Sequence, residues 1–200
     1  MSWKIINLED VAASPWRNGG GVTRELAAWP KSADWTWRMS VAEVDASGAF
    51  SSFGGVDRWF AVLSGAGVRL DIASGAATVS HIQTTRDAPL LFDGGAATHC
   101  KLVDGKTQDF NLMVRADRAQ SHMRRLQGAA PVTLELILDA TEIIAIYAHE
   151  KGATARFDTD FEDFPDLLDL PAGCLAWRQA TRRTSVQIQA THALVMEIKP

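Results

Sequence analysis

Cysteine is scarce in this sequence: Cys100 and Cys174 are the only two among 200 residues, and neither stands in a CxxC pair. That excludes a disulfide framework and fits a chain made for reducing cytoplasm. Long apolar runs are missing as well, and nothing approaches the roughly 18 residues that a membrane-spanning helix needs. The opening MSWKIINLED alternates apolar and polar residues and carries Lys4, Glu9 and Asp10, which is not the pattern of a secretion signal. Nor is there an excess of positive charge, since 20 Lys and Arg face 24 Asp and Glu for a net charge of −4. A general grip on nucleic acid is thereby disfavoured, and the short basic runs around Arg124-Arg125 and Arg182-Arg183 read as solvated surface. These absences predict a cytoplasmic protein with no nucleic-acid partner and no membrane partner.

What the sequence has in quantity is strand signal. Short segments rich in Val, Ile, Trp and Phe recur between glycine-bearing turns, from 35–44 and 59–63 through 110–115, 143–148 and 194–198. Such spacing predicts an all-β chain of sandwich or barrel type. Helix is confined to short pieces: a turn at 10–14, a weak stripe of Met123 and Leu126 over 118–127, and a turn at 162–168. The two halves also share an order. In the first, WFAVLSG (59–65) meets a glycine turn, continues as VRLDI and later reaches PLLFDGG (89–95). In the second, IIAIYAHE (143–150) meets Lys151-Gly152, continues as ATARFD and later reaches LLDLPAGCLAW (167–177).

Residues 15–26, PWRNGGGVTREL, place three glycines between hydrogen-bonding side chains and a strand. Glycine serves where the chain takes positive φ or where another group comes close. A dinucleotide fingerprint needs a preceding strand, a third glycine at the right offset and a following helix, none of which is met here.

Together with WRMSVAEVDASGAFSSFGGVDRWFAVLSGAGVRL (37–70) and GKTQDFNLMVR (105–115), this segment resembles the HutD/Ves family of bacterial cupin-fold proteins. The resemblance implies a bicupin: two double-stranded β-helix (jelly-roll) barrels with few short helices, divided here as 1–117 and 118–200. It also implies a link to histidine utilisation, with binding of a small pathway metabolite such as formylglutamate in a regulatory or accessory role. No reaction is established for the family.

Many cupins hold a metal through histidines and a glutamate, and transition metals need several converging donors. Where the first such motif would fall, GAFSSFGGVDRW (48–59) has no histidine, and the returning histidine position is Ala97. On the strand that follows, Cys100 and Leu102 make the better apolar face, which turns His99 outward. No metal site and no cofactor are expected. A metal-free cavity must then recognise its ligand through a few polar groups among apolar walls. Arg58 precedes a wholly apolar run and offers a planar fork suited to a carboxylate. Asn111 interrupts the apolar string Phe110 to Met113 and needs partners if buried. Trp16, Arg17 and Asn18 are expected at the cavity mouth. Glu43 completes the candidate set: it can act as a general acid or base if it faces the cavity, and as one carboxylate without a visible partner it otherwise reads as a strand-surface charge or an arginine's mate.

The leading expectation is a metal-independent protein binding a small carboxylate in the first barrel. The rival is an isomerase or hydrolase working on a related metabolite through Glu43 or a histidine. The second half, with few polar interruptions, is expected to serve packing, and exposed strand edges suit a homodimer.

Overall fold

In the computed structural model, which describes residues 2–158 and 166–200, the glycine-punctuated apolar segments are strands. In chain order they are β1 (Lys4–Asn7), β2 (Ser14–Pro15), β3 (Gly21–Lys31), β4 (Asp34–Val44), β5 (Gly48–Ala49), β6 (Val56–Ser64), β7 (Val68–Ser74), β8 (Ala77–Gln83) and β9 (Leu90–Asp93). They continue as β10 (Thr98–Leu102), β11 (Thr107–Arg115), β12 (Gln120–Leu138), β13 (Ile143–Ala148), β14 (Ala153–Phe157), β15 (Asp166–Leu170), β16 (Cys174–Gln179) and β17 (Thr184–Lys199). Among the described residues the one helical element is a 3-10 turn at Leu8–Asp10, just before the expected turn at 10–14. None is a helix long and apolar enough to cross a membrane.

The expected helix over 118–127 is instead the first half of β12, paired residue by residue with β17 from Gln120 opposite Lys199 to Gln127 opposite His192. Met123 and Leu126 are both buried, but three residues apart on a strand they point to opposite faces. A strand buried on each face in turn therefore imitates a helical stripe. The turn expected at 162–168 lies partly outside the described residues, and its last residues belong to strand β15.

The chain divides into two compact units, Val11–Ala119 and Met1–Asp10 with Gln120–Pro200. The boundary expected between 117 and 118 falls two residues later, and the first ten residues leave the N-terminal unit. The reason is a ladder: β1 lies antiparallel on β16 with Lys4 opposite Trp177, and the Lys4 ammonium sits 4.4 Å from the centre of that indole ring.

In the unit Val11–Ala119, a six-stranded sheet runs in the order β2-β3-β4-β11-β6-β9 and a four-stranded sheet in the order β5-β10-β7-β8. Alternation sets what each face carries. On β6 the residues Arg58, Phe60 and Val62 share a face, and their ladder partners on β11 are Met113, Asn111 and Asp109. On β4 the same face carries Arg38, Ser40 and Ala42. This face changes character along the strands. Phe60 and Val62 join Val68, Leu70, Ile72 and Cys100 in an apolar core, whereas Arg38, Ser40, Arg58 and Asn111 form a polar end.

In the other unit, β12 pairs with β17, and β17 also pairs with β13 and β14. Its interior is a continuous apolar cluster that includes Leu138, Ile144, Ile146, Phe157, Leu170 and Val195. The shared order seen in the sequence has a counterpart in pairing, since β9 returns onto β6 and β16 returns onto β13.

Candidate functional site

A cavity of about 480 Å³ opens over the polar end of the six-stranded sheet. Its walls come from the turn after β2 (Trp16, Arg17, Asn18), from Thr23 on β3, and from Arg38, Ser40 and Ala42 on β4. Phe50, Ser51 and Phe53, between β5 and β6, close another side. Arg58 on β6 and Asn111 and Met113 on β11 also line it.

The glycine run builds the mouth. Gly19 takes φ of +70°, and its amide donates to the Trp16 carbonyl at 3.0 Å, closing a tight turn. Gly21 is required for a different reason: a Cβ there would lie 2.2 Å from the Glu43 carbonyl oxygen of the neighbouring strand. Asn18 holds the turn by accepting from the Gly20 amide at 3.1 Å. Trp16 turns inward, donating from Nε1 to Thr23 Oγ1 at 2.7 Å and meeting Phe50 edge-on at 6.3 Å. Arg17 is exposed at the rim.

Arg58 is the centre of the site. Its side chain is buried, with 7% of the residue exposed, and its guanidinium lies 4.4 Å from the Phe50 ring centre and 5.6 Å from that of Phe92. It donates from Nε and Nη2 to a single acceptor, Asn111 Oδ1, at 2.9 and 2.7 Å. Asn111 is itself buried, so the amide expected to need a partner has found one in the arginine. Burial lowers the Arg58 pKa to about 10, the nearby charge of Asp109 opposes that shift, and Arg38 adds to it. The group stays cationic at neutral pH, and the acceptor of both hydrogen bonds is a neutral amide rather than a carboxylate.

Of the six candidate residues, Trp16, Arg17, Asn18, Arg58 and Asn111 line this space. Glu43 does not. It leaves β4 on the face opposite Ser40 and Ala42, where Arg24 pairs with it at 3.3 Å. Arg24 is held in turn by donating to the Val11 carbonyl at 2.7 Å. Glu43 therefore stands outside this cavity.

The residue that was overlooked is Arg38. It lines the cavity and faces Glu25 of β3, with Nε and Oε2 2.7 Å apart in a contact that is an ion pair rather than an aligned hydrogen bond. Its signal was the alternation Arg38, Ser40, Ala42, which matches the parity of the Arg58 face. Three arginines thus line the space, and no carboxylate, histidine or cysteine is among its walls. His99 points outward from β10 while Cys100 is buried. Among the described residues no group of three or more His, Cys, Asp and Glu converges as a metal site would require.

A profile of the HutD family matches residues 8–196. The chain belongs to the HutD family. Protein Ves from Cronobacter sakazakii is 34% identical over 122 residues, which is 60% of this chain and 65% of that protein. A 21.2 kDa protein of the hutC 3′ region of Pseudomonas putida is 33% identical over 135 residues, covering 64% of this chain and 66% of that one. The chain thus spans just under two thirds of the length of these curated relatives.

Solved structures extend the likeness over the whole HutD-family chain. A conserved protein of Pseudomonas aeruginosa PAO1 superposes with a TM-score of 0.80 at 27% identity, covering 100% of this chain and 98% of that one. HutD from Pseudomonas fluorescens SBW25 gives 0.77 at 21% identity, with 99% and 98% covered. An oxalate decarboxylase from Bacillus subtilis, at 7% identity and a TM-score of 0.61, covers 98% of this chain and 76% of its own, and shares the fold alone. The HutD-family chain is therefore all-β and cupin-like.

Proposed function

We propose that the cavity of the unit Val11–Ala119 binds a small carboxylate metabolite without a metal, in a regulatory or accessory role. The observation that carries this reading is Arg58: a buried guanidinium tethered to a neutral amide rather than to a carboxylate, facing a space whose lining holds two further arginines and no acid. Such a wall favours an anion, and a carboxylate matches the guanidinium's planar donors. Phe50, Phe53 and Trp16 supply the apolar surface that a short carbon chain would cover.

The lining offers no histidine, cysteine or carboxylate donor, which supports recognition by hydrogen bonds over recognition through a cation. Family membership and the hutC-region relative connect the proposal to histidine degradation, with a formylglutamate-like compound as the ligand. We take the two units as two cupin barrels, the second serving packing or a homodimer, in a cytoplasmic protein.

Calorimetry against formylglutamate, urocanate, glutamate and histidine tests the proposal. Heat of binding is expected with at least one carboxylate and is expected to vanish in Arg58→Ala. Silence with every one of them defeats the reading. The rival enzymatic reading predicts turnover that is lost in Glu43→Gln, a residue that stands outside the cavity.

A further inference from the structure

One carboxylate lies beneath this cavity and forms no part of its wall. Asp109 precedes Asn111 by two residues on β11, so both side chains leave the same face of the strand. It is fully buried. Thr107 donates from Oγ1 to its Oδ2 at 2.9 Å, while Oδ1 has no hydrogen-bond partner. Among the described residues no cation forms an ion pair with it, though Arg58, on the same face one ladder pair beyond Asn111, acts on it through space.

Its other neighbours are apolar or uncharged. Across the ladders stand Ala42 on β4 and Val62 on β6. The core at this end adds Val68, Leu70 and Ile72 from β7 and Cys100 from β10. Cys100 is the one other titratable group that senses Asp109: burial first, and then the Asp109 charge, push its thiol up to about 12, so it stays neutral. Arg38, on β4, acts on Arg58 rather than on Asp109.

An ionised carboxylate with one oxygen unpaired in such surroundings is costly, and protonation removes the cost. Burial raises the Asp109 pKa to about 7, with the Thr107 hydrogen bond and the Arg58 charge both pulling it back. Arg58 thus has two anions competing for its field, one inside the protein and one arriving through the cavity. We infer that Asp109 is the built-in counter-charge of Arg58, and that a carboxylate entering the cavity is taken up together with a proton on Asp109. The inference rests on the reading that the cavity holds an anion. The sign follows directly: a second negative charge beside Arg58 withdraws the support that Arg58 gives to ionised Asp109, so the bound state holds its proton more tightly. Binding is then strongest below neutrality and weakens as Asp109 ionises.

The test uses the whole chain and formate, a carboxylate that stays ionised from pH 6 to pH 8. Affinity, read from chemical-shift titrations, is expected to fall about fivefold across that range, within the usual span of coupling between sites. In Asp109→Asn it is expected to be independent of pH, and a wild-type affinity that is equally flat overturns the inference. A carbon-13 titration of the Asp109 carboxyl without ligand gives an independent answer. It is expected to titrate near neutrality, and higher in Arg58→Gln; a midpoint below pH 5, or no response to Arg58→Gln, overturns the coupling. Absence of formate binding at every pH, with the carboxyl titrating as expected, defeats the anion-site reading and the proton uptake that depends on it while leaving the Asp109 and Arg58 pairing established.

Discussion

Each unit buries an arginine against aromatic rings, and the two differ in what they are tied to. Arg58 lies over Phe50 and Phe92 at 4.4 and 5.6 Å, and Arg178 lies over Phe157 and Trp3 at 4.3 and 5.6 Å. Arg178 donates from Nη1 to the carboxylate of Asp166, whereas Arg58 donates to the amide of Asn111. Arg178 has therefore been neutralised by the chain itself, at the border of a continuous apolar cluster. Arg58 faces an open space with an amide, not a carboxylate, as its hydrogen-bond partner. Stacking on rings is common to both arginines; the charge state of the hydrogen-bond partner is what separates them.

The strongest way to break this contrast is Arg58→Ala, expected to weaken carboxylate binding by more than about 100-fold in calorimetry, the scale on which truncating one partner of a buried charge pair is felt. Asn111→Asp is expected to make the first site resemble the second by supplying Arg58 with a carboxylate. Anion affinity should drop about 30-fold while urea midpoints at neutral pH hardly move, and unchanged affinity would show that the partner's charge is irrelevant.

In the opposite direction, Arg178→Ala is expected to leave binding intact and to lower stability by about 2 kcal/mol, the cost of leaving Asp166 unpaired, reduced because that carboxylate is partly exposed. Asp109→Asn sharpens the comparison through pH. The folded-state pKa of Asp109 is raised to about 7 from an ordinary 3.8, so its contribution to stability is complete below the unfolded value and is lost as pH rises through 7. Urea unfolding at pH 5 and pH 8 should show the variant gaining about 2–3 kcal/mol on the wild type between the two. The smallest effect belongs to Glu43→Gln, expected to change carboxylate affinity by less than about twofold, as fits an ion pair of the partly exposed kind.

Strand positions were readable because β-branched and aromatic residues recur at strand length between glycine turns, and β4, β6, β7 and β13 fall where that pattern put them. The direction in which β4 faces was not readable. Trp37, Met39 and Val41 are buried on one side, and Ser40, Ala42 and Val44 on the other, so hydrophobicity alone could not say which side met the cavity. That ambiguity explains why the pattern leaves the facing of Glu43 open and does not single out Arg38. β11 held a clearer signal, since Thr107, Asp109 and Asn111 alternate with Phe110, Leu112 and Val114. Asn111 was recognised there and Asp109 was not, because a lone carboxylate in a strand ordinarily reads as surface. Met123 and Leu126 misled for the complementary reason: burial on both faces of a strand removes the period of two on which strand recognition depends.

The ladder between Lys4–Asn7 and Cys174–Trp177 has a consequence for how the protein is made. Lys4–Asn7 must wait for partners translated some 170 positions later, while the strands between Val11 and Ala119 pair among themselves. The cavity lined by Arg58 can therefore assemble on a nascent chain in which Lys4–Asn7 is still unclaimed, and shortening that strand would wound the late-forming unit while sparing the early one.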